Sequence, residues 1–264
     1  MRNKLTQELA VCGFNAVASL GAEHPESINR LFLREDRLPR FTKVCKTLAE
    51  RKRPYKLCEN EELERICKSP HHQGIVAMIE EPELPNLTRE DLALWSAEGK
   101  TGLILYSLGN DLNLGAIVRS AAFFEVHFVV LTETDAATRL TTAAYRAAEG
   151  GMEFVVFRKV RDTAGFLRDA SQVLITFGAD PRARQRIQDM PDIMQDKANR
   201  LKVPPRNGKR PGIALVIGNE ETGLPEQVKN QCSALVRIPG TGVIESLNAA
   251  QAATLFLHQL YEFL

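Results

Sequence analysis

Residues 238–248 read Ile-Pro-Gly-Thr-Gly-Val-Ile-Glu-Ser-Leu-Asn and mark a change of structure in the chain. An apolar run from Ala234 to Ile238 predicts a strand, and the apolar residues after Ser246 recur at helical spacing. Pro239 removes a backbone donor, and the two glycines after it permit backbone angles closed to other residues. Ser246 stands where a helix N-cap belongs. The stretch predicts a strand, an irregular turn and a helix, which is either a ligand cradle or an ordinary joint.

Two earlier stretches repeat the pattern of an apolar strand followed by polar and glycine residues. Residues 214–224 read Ala-Leu-Val-Ile-Gly-Asn-Glu-Glu-Thr-Gly-Leu, with a carboxylate two positions after the first glycine. Residues 113–121 read Asn-Leu-Gly-Ala-Ile-Val-Arg-Ser-Ala and follow the apolar run Leu103 to Tyr106. Arg119 lies six positions after Asn113, nearly two helical turns further on. Each stretch is a weak signal alone.

In this order and at these separations, the three stretches resemble motifs 1, 2 and 3 of the SpoU/TrmH family of RNA ribose 2′-O-methyltransferases. The resemblance covers residues 100–264. It implies a C-terminal α/β domain with a parallel sheet, tied in a trefoil knot, that binds S-adenosyl-L-methionine (SAM). The implied reaction is methyl transfer to the ribose 2′-hydroxyl of a nucleotide in rRNA or tRNA.

The resemblance also implies a set of site residues. The implied catalytic or RNA-contacting residues are Arg119, Asn113, Glu220, Ser246 and Asn248. The implied SAM contacts, made mostly through main chain, are Gly218, Ile238 and Leu247, with Thr176 a weaker candidate at the end of its strand. Ser246 and Asn248 have simpler explanations, as a helix cap and its first-turn neighbour.

Arg119 is the main expected catalytic residue. The family proposal makes this arginine the general base, but a guanidinium stays protonated in proteins. We therefore expect it to bind phosphate and to stabilise the developing alkoxide. The resemblance implies that Glu220 orients Arg119 by ion pairing.

The sequence departs from the family pattern at two places. Glu125 lies where the family commonly has glycine after the motif 1 helix, and Ala-Ala-Gln-Ala follows Asn248 in place of the more usual Val-Ser-Val-Ala. Neither departure removes a polar motif residue, so we expect them to affect rate and substrate rather than fold.

Residues 3–80 predict a small α/β domain. Its expected strands are Leu31–Leu33, Tyr55–Leu57 and Ile75–Ile79, and its expected helices start at Asn15 and span 38–51 and 59–67. Short motifs at 11–17 and 72–75 resemble the substrate-binding domain that precedes many SpoU enzymes, which is similar to an L30e-type RNA-binding fold. Nine arginines and lysines lie between positions 30 and 53. A solvated helix face and contact with RNA phosphates explain this cluster equally well.

The resemblance implies an L30e-like RNA-binding domain over residues 1–82, a linker over 83–100 and the methyltransferase domain over 101–264. The linker contains prolines, acids and a short helical stretch around Trp95. Beyond it, strands alternate with helices, which indicates a largely parallel sheet. Periodicity alone predicts an open doubly wound fold, because threaded chains are rare. The basic segment 179–212 looks longer than its family counterpart and is open to three readings: a mobile flap, an RNA contact or a solvated excursion.

Composition narrows the class of protein. The chain has 264 residues, 44% apolar and 25% charged, with a net charge of +1, as in a globular protein without a marked polyanion bias. No run of about 18 apolar residues predicts a membrane span, and residues 1–6 lack a signal-peptide core, so we expect a cytoplasmic protein. The five cysteines form no CxxC pair, which predicts free thiols and no metal site.

The favoured interpretation is a SAM-dependent RNA methyltransferase, and the resemblance implies a homodimer. The helix predicted over 247–264 is apolar on most sides, so a partner is expected to bury part of it. The alternative is a non-catalytic RNA-binding or ribosome-assembly protein that retains the fold. A dinucleotide-dependent enzyme is disfavoured because no GxGxxG fingerprint follows the first strand. The sequence leaves rRNA and tRNA both open as substrates.

Overall fold

The computed structural model describes residues 8–132, 139–202 and 209–263. They form two compact units, the first from residues 8–83, 111–119 and 139–154, the second from 84–110, 120–132, 155–202 and 209–263. The N-terminal residues 1–6, Arg206 of the basic segment and Leu264 of the predicted last helix lie outside the described residues.

The elements follow one another in this order. They are β1 (Glu8–Cys12), α1 (Phe14–Glu23), β2 (Ile28–Leu33), α2 (Leu38–Glu50), β3 (Tyr55–Leu57), α3 (Asn60–Cys67), β4 (Ile75–Glu80), α4 (Arg89–Ala97), β5 (Thr101–Leu105), α5 (Asp111–Phe123), β6 (Phe128–Thr132), α6 (Thr142–Ala148), β7 (Val156–Val160), α7 (Thr163–Ala170), β8 (Leu174–Ala179), β9 (Gln185–Arg186), α8 (Met190–Ala198), β10 (Gly212–Ile217), α9 (Glu226–Lys229), β11 (Ala234–Arg237) and α10 (Ala249–Glu262).

The first unit contains a four-stranded sheet in the order β1-β4-β2-β3. Strand β4 is antiparallel to β1 and β2, whereas β3 runs parallel to β2. The three predicted strands and three predicted helices are confirmed, but β1 was not predicted as a strand. All five of its residues are buried, so it lacks the alternation of a half-exposed strand.

The five cysteines of the chain, four in the first unit and Cys232 in the second, are free thiols, as predicted.

The second unit contains a seven-stranded sheet in the order β7-β6-β5-β10-β8-β11-β9, and every pair is parallel. The predicted strand–helix alternation and parallel sheet are confirmed. Strand β10 is near the middle and every residue of it is buried, as expected for a strand covered on both faces. The two-residue edge strand β9, which pairs with β11, was not predicted.

The apolar runs 154–157 and 173–176 each predict a strand, but the strands found there have different bounds. Strand β7 begins at Val156, because Phe154 belongs to a short 3-10 turn. Strand β8 continues to Ala179 instead of ending at Thr176. Gly178 allows this extension, since a Cβ there would lie 2.7 Å from the Leu235 side chain on β11.

Helix α4 lies in the stretch predicted as a linker. Thr88 caps it, because its hydroxyl accepts the Asp91 N–H at 3.1 Å and the Asp91 carboxylate accepts the Thr88 N–H at 3.0 Å. The Trp95 indole N–H donates to the Ile213 carbonyl at 3.0 Å, and its ring stacks on Phe128 with centroids 5.0 Å apart. Trp95 is fully buried, so this stretch supplies a core residue of the second unit.

Candidate functional site

A cavity of about 700 Å³ lies in the second unit. Its walls are the ends of β8, β10 and β11 and the loops that follow them, at residues 179–182, 217–224, 236–242 and 244–247, together with parts of α9 and α10. Ligands of open parallel sheets bind beyond the carboxyl ends of the strands, which is where these loops lie. The volume is within the range of about 300–1,000 Å³ that small-molecule sites occupy.

The loop after β10 is shaped by two glycines. A Cβ at Gly218 would lie 2.5 Å from the carbonyl carbon of Gly223, so no larger residue fits without moving the loop. Gly223 has a φ of 66°, in the left-handed region that favours glycine, and its N–H donates to the Asn219 carbonyl at 3.0 Å. Both glycines line the cavity, so this close approach of backbone to backbone forms part of its wall.

Asn219 organises the same loop. Its side-chain oxygen accepts the N–H groups of Glu221 at 2.9 Å and Thr222 at 3.1 Å, and its amide donates to the Ser107 carbonyl at 2.8 Å. The loop after β5 and the loop after β10 are thereby joined. Glu220 lies at this junction, where its carboxylate accepts the Gly109 N–H at 3.4 Å. Asn219 was not among the predicted site residues, although an asparagine after a strand-ending glycine is a turn signal.

Residues 238–248 form an open loop beside the cavity. Gly242 has a φ of 82°, so one of the two predicted glycine positions requires the freedom of glycine. Val243 is 87% exposed and Ile244 70% exposed, an unusual state for apolar side chains. Ile244 lines the cavity, so this loop brings an exposed apolar side chain to the cavity wall.

The predicted cap of the last helix is wrong. Asn248 is the N-cap of α10, and its side-chain oxygen accepts the Ala250 N–H at 2.8 Å. Ser246 lies two residues earlier, in the loop that lines the cavity. The helix therefore begins at Ala249 rather than at Leu247, and Ser246 is not used as a cap.

A buried ion pair lies where the turn after β8 and helix α9 form the cavity wall. The Lys229 ammonium lies 2.6 Å from the Asp180 carboxylate and 3.0 Å from Glu226, and the side chains of Lys229 and Asp180 are 6% and 7% exposed. Burial works to raise the pKa of the Asp180 carboxyl, but hydrogen bonds from Lys229 and the Arg182 N–H outweigh it and hold that pKa below its usual value. Asp180 therefore stays ionised and fixes the turn after β8.

The structure brings together five of the predicted residues. Gly218, Glu220, Ile238, Ser246 and Leu247 line the cavity. Thr176 does not lie in its lining among the described residues, because β8 continues past it. It is fully buried, and its hydroxyl accepts the Ser233 N–H at 2.8 Å.

Three predicted residues remain. Asn248 caps α10 and is not in the lining of the cavity among the described residues, and Asn113 and Arg119 lie on α5. Asn113 is half-buried in its first turn, and Arg119 is exposed further along the helix. Both are in the part of α5 that belongs to the first unit. There the helix packs closely on α6, since a Cβ at Gly115 would lie 2.4 Å from the Ala144 carbonyl oxygen.

The described residues contain neither a candidate metal site nor a helix that could span a membrane. Across 8–132, 139–202 and 209–263, His, Cys, Asp and Glu form no group of three that could hold a metal ion. In the same ranges, every helix is too short or too polar to span a bilayer.

Comparison with known sequences assigns the family. A sequence model of the SpoU rRNA Methylase family matches residues 100–258, which is more than half of the chain. The chain belongs to this family. A second sequence model, described as RNA 2'-O ribose methyltransferase substrate binding, matches residues 10–85.

Two relatives and one solved structure illustrate the similarity. The chain is 29% identical over 258 residues to the 23S rRNA (guanosine-2'-O-)-methyltransferase RlmB of Nitrosomonas europaea, covering 97% of this chain and 92% of the relative. It is 29% identical over 260 residues to the Bordetella pertussis protein of the same name, covering 96% of each. The AdoMet-bound rRNA methyltransferase structure from Sinorhizobium meliloti shares its fold, with a TM-score of 0.74 at 18% identity over 98% of this chain and 89% of that one.

Proposed function

We propose that this protein methylates the ribose 2′-hydroxyl of a nucleotide in rRNA, using SAM as the methyl donor. The observation that carries the proposal is the cavity in the second unit, whose walls include the family's motif loops at 217–224, 236–242 and 244–247. Relatives that match nearly the whole chain are named as 23S rRNA guanosine 2′-O-methyltransferases, which favours rRNA over tRNA. Work on rRNA accords with a cytoplasmic location.

The cavity has the properties that a SAM site needs. Its volume suits a nucleoside-sized ligand, and the close approach at Gly218 exposes main-chain donors and acceptors. Gly218, Ile238 and Leu247 would hold the cofactor, whose adenine and ribose require apolar surface and hydrogen bonds together. When bound, SAM supplies an electrophilic methyl group on a sulfonium sulfur. Thr176 could act only indirectly, through its bond to Ser233.

The polar motif residues would handle the RNA. Arg119 carries a permanent positive charge, so it would bind the phosphate next to the acceptor ribose and stabilise the alkoxide as its proton leaves. Glu220 would orient Arg119. Asn113 and Ser246 would contact RNA or fix their loops, and Asn248 would set the start of α10.

The division of labour along the chain is part of the proposal. Residues 1–82 would recognise RNA, residues 83–100 would connect, and residues 101–264 would form the catalytic domain. The match of the substrate-binding family to residues 10–85 supports the first assignment. We also propose the family's trefoil knot for the C-terminal part, where β10 inserts between β5 and β8.

A homodimer formed through the second unit is the proposed assembly. Helix α10 buries Phe256, Leu257 and Leu260 but leaves Leu255 43% and Tyr261 52% exposed. Near it, Phe123 at the end of α5 is 78% exposed. The rings of Phe123 and Phe124 lie 5.0 Å apart, and those of Phe124 and Tyr261 lie 5.7 Å apart. Such a continuous apolar surface is typical of a protein–protein interface.

Replacing Arg119 with alanine tests the catalytic assignment. We expect methyl transfer from SAM to rRNA lacking the modification to fall by about 10²–10³-fold, the loss typical of removing one group that stabilises a developing oxyanion. The SAM dissociation constant, measured by calorimetry, should change less than threefold because Arg119 is not assigned to the cofactor. Arg168→Ala, on the exposed surface of α7, is the matched control and should retain full activity.

The alternative of a non-catalytic RNA-binding protein predicts a different result. Wild-type protein would then bind RNA without transferring methyl groups to any cellular RNA, and Arg119→Ala would alter RNA binding alone. Mapping 2′-O-methyl groups in RNA from cells that lack the protein would identify the nucleotide and separate rRNA from tRNA.

A further inference from the structure

The edge strand β9 and the turn before it form a cationic surface that the proposed chemistry does not use. The arginines Arg182, Arg184 and Arg186 come from this short segment, and Arg237 is the last residue of β11. We call these four residues the arginine edge. All four belong to the second unit.

The sheet register places two of these arginines side by side. Arg237 on β11 is the parallel partner of Arg186 on β9. Partners in register project to the same face of a sheet, and neighbouring strands lie about 4.8 Å apart. Like charges directly opposite each other destabilise a strand pair. The pair therefore favours a bound anion between or above the two guanidinium groups.

Three of these four arginines have no acidic partner among the described residues, and Asp180 reaches only Arg182. Among the described residues, Arg184, Arg186 and Arg237 form no ion pair, and Arg182 is 78% exposed with its guanidinium 3.8 Å from Asp180. Glu220, Glu221 and Glu245 line the same cavity as Arg182 and Arg237, whereas the aspartates close to the segment in sequence make other contacts. Asp180 pairs with Lys229, Asp189 accepts the backbone N–H of Arg186, and Asp196 pairs with Arg200.

The arginine edge runs into the cavity. Arg182 and Arg237 line the cavity wall, while Arg184 and Arg186 extend outward from it along the edge strand. Strand β9 pairs only with β11, so its other side presents no further strand in the described sheet. A charged side chain on an edge strand also discourages aggregation. Protection from aggregation, however, does not require Arg186 to lie beside Arg237 or Arg182 and Arg237 to line the cavity.

We propose that the arginine edge binds the phosphate backbone of the substrate RNA and guides the strand toward the cavity. The forked guanidinium group binds phosphate bidentately, and such contacts position a nucleic acid without reading its sequence. The inference rests on the proposed function, because it assigns RNA as the ligand. It also assigns a role to part of the basic segment 179–212.

The test removes the two arginines that do not line the cavity. The variant Arg184→Gln/Arg186→Gln is compared with Arg168→Gln/Arg200→Gln, which loses the same charge from exposed residues that have acidic partners. RNA binding is measured by filter retention of an unmodified 23S rRNA transcript at several salt concentrations. We expect roughly 10-fold weaker binding at about 0.15 M salt, and a log–log salt slope reduced by about 1.4–1.8, for the first variant alone.

Four further results decide the proposal. An unchanged RNA affinity and salt slope in Arg184→Gln/Arg186→Gln would overturn it, and so would an equal loss in the control variant. A loss of SAM affinity with RNA binding intact would also overturn it, by assigning the edge to the cofactor. Arg184→Lys/Arg186→Lys should restore most of the salt slope, which shows that charge and not folding is responsible. Failure of the proposed function itself would be seen separately, as wild-type protein that binds RNA without methyl transfer.

Discussion

Glu153 is a buried carboxyl group in the first unit that lacks a full set of hydrogen bonds. Its side chain is 7% exposed, and its Oε1 atom has no hydrogen-bond partner among the described residues. Burial raises the pKa of this carboxyl to about 7, although His24, 4.0 Å away, opposes the shift. The native protein thus holds this proton more tightly than the unfolded chain does. Its contribution to stability is fully present below about pH 4.5 and is lost as pH rises through about 7.

We therefore predict that Glu153→Gln stabilises the protein at pH 8 and has little effect at pH 5. A shift from 4.5 to about 7 sets an upper bound of about 3 kcal/mol at about 1.36 kcal/mol per unit, and burying the amide reduces the gain to roughly 1–2 kcal/mol. Urea unfolding at both pH values measures it. Glu50→Gln, at the exposed end of α2, is the control. Equal stabilisation at pH 5 and pH 8 would contradict the titration.

At the scale of elements, the end of α5 has a backbone geometry that favours glycine at position 125. The Val126 N–H donates to the Ala121 carbonyl at 2.8 Å and the Glu125 N–H to the Ala122 carbonyl at 3.3 Å, which is the Schellman pattern. That pattern requires a left-handed residue at position 125, and Glu125 has a φ of 56°. A Cβ makes this conformation costly. Having glutamate rather than glycine at position 125 therefore strains the end of α5.

Glu125→Gly should stabilise the protein by about 0.5–1 kcal/mol, because the relief of left-handed strain exceeds the extra entropy of glycine in the unfolded chain. Equilibrium urea unfolding at pH 7 gives the difference. Glu125→Ala separates conformation from side-chain chemistry, since it keeps the Cβ and should give no gain. A stabilisation by alanine as large as that by glycine would show that the carboxylate, not the backbone, is unfavourable.

At the scale of the whole molecule, the exposed aromatic surface of α5 and α10 predicts the oligomeric state. Introducing a charge at its centre with Tyr261→Asp or Phe123→Asp should convert a dimer into a monomer, because an interface core does not tolerate an unpaired charge. Sedimentation velocity at micromolar concentration measures this. Tyr55→Asp, at a tyrosine 45% exposed on β3, is the control and should remain dimeric. A monomeric wild-type protein would rule out the proposed assembly.

Local sequence patterns predicted most of the elements. The strands around Leu103, Val129 and Leu215 are continuous apolar runs, and the helix at 38–50 has its apolar residues on one face, so each was recognisable from its own residues. Strand β1, Glu-Leu-Ala-Val-Cys, was missed because it begins with a charged residue and has neither alternation nor a long apolar run, and β9 was missed because two residues give no pattern. Ser246 was misjudged as a cap because Asn248, two residues on, has the same capping chemistry.

The sequence by itself determined most of the strands and helices, the family to which the chain belongs and five of the residues that line the cavity. These follow from local spacing and from motifs that stand in the chain as written. Only the tertiary structure decided which loops meet, through the Asn219 bond to Ser107 and the burial of Lys229 against Asp180. It also decided that Arg186 lies beside Arg237. These two arginines are about fifty positions apart in the sequence. No local pattern specifies the register of such a strand pair.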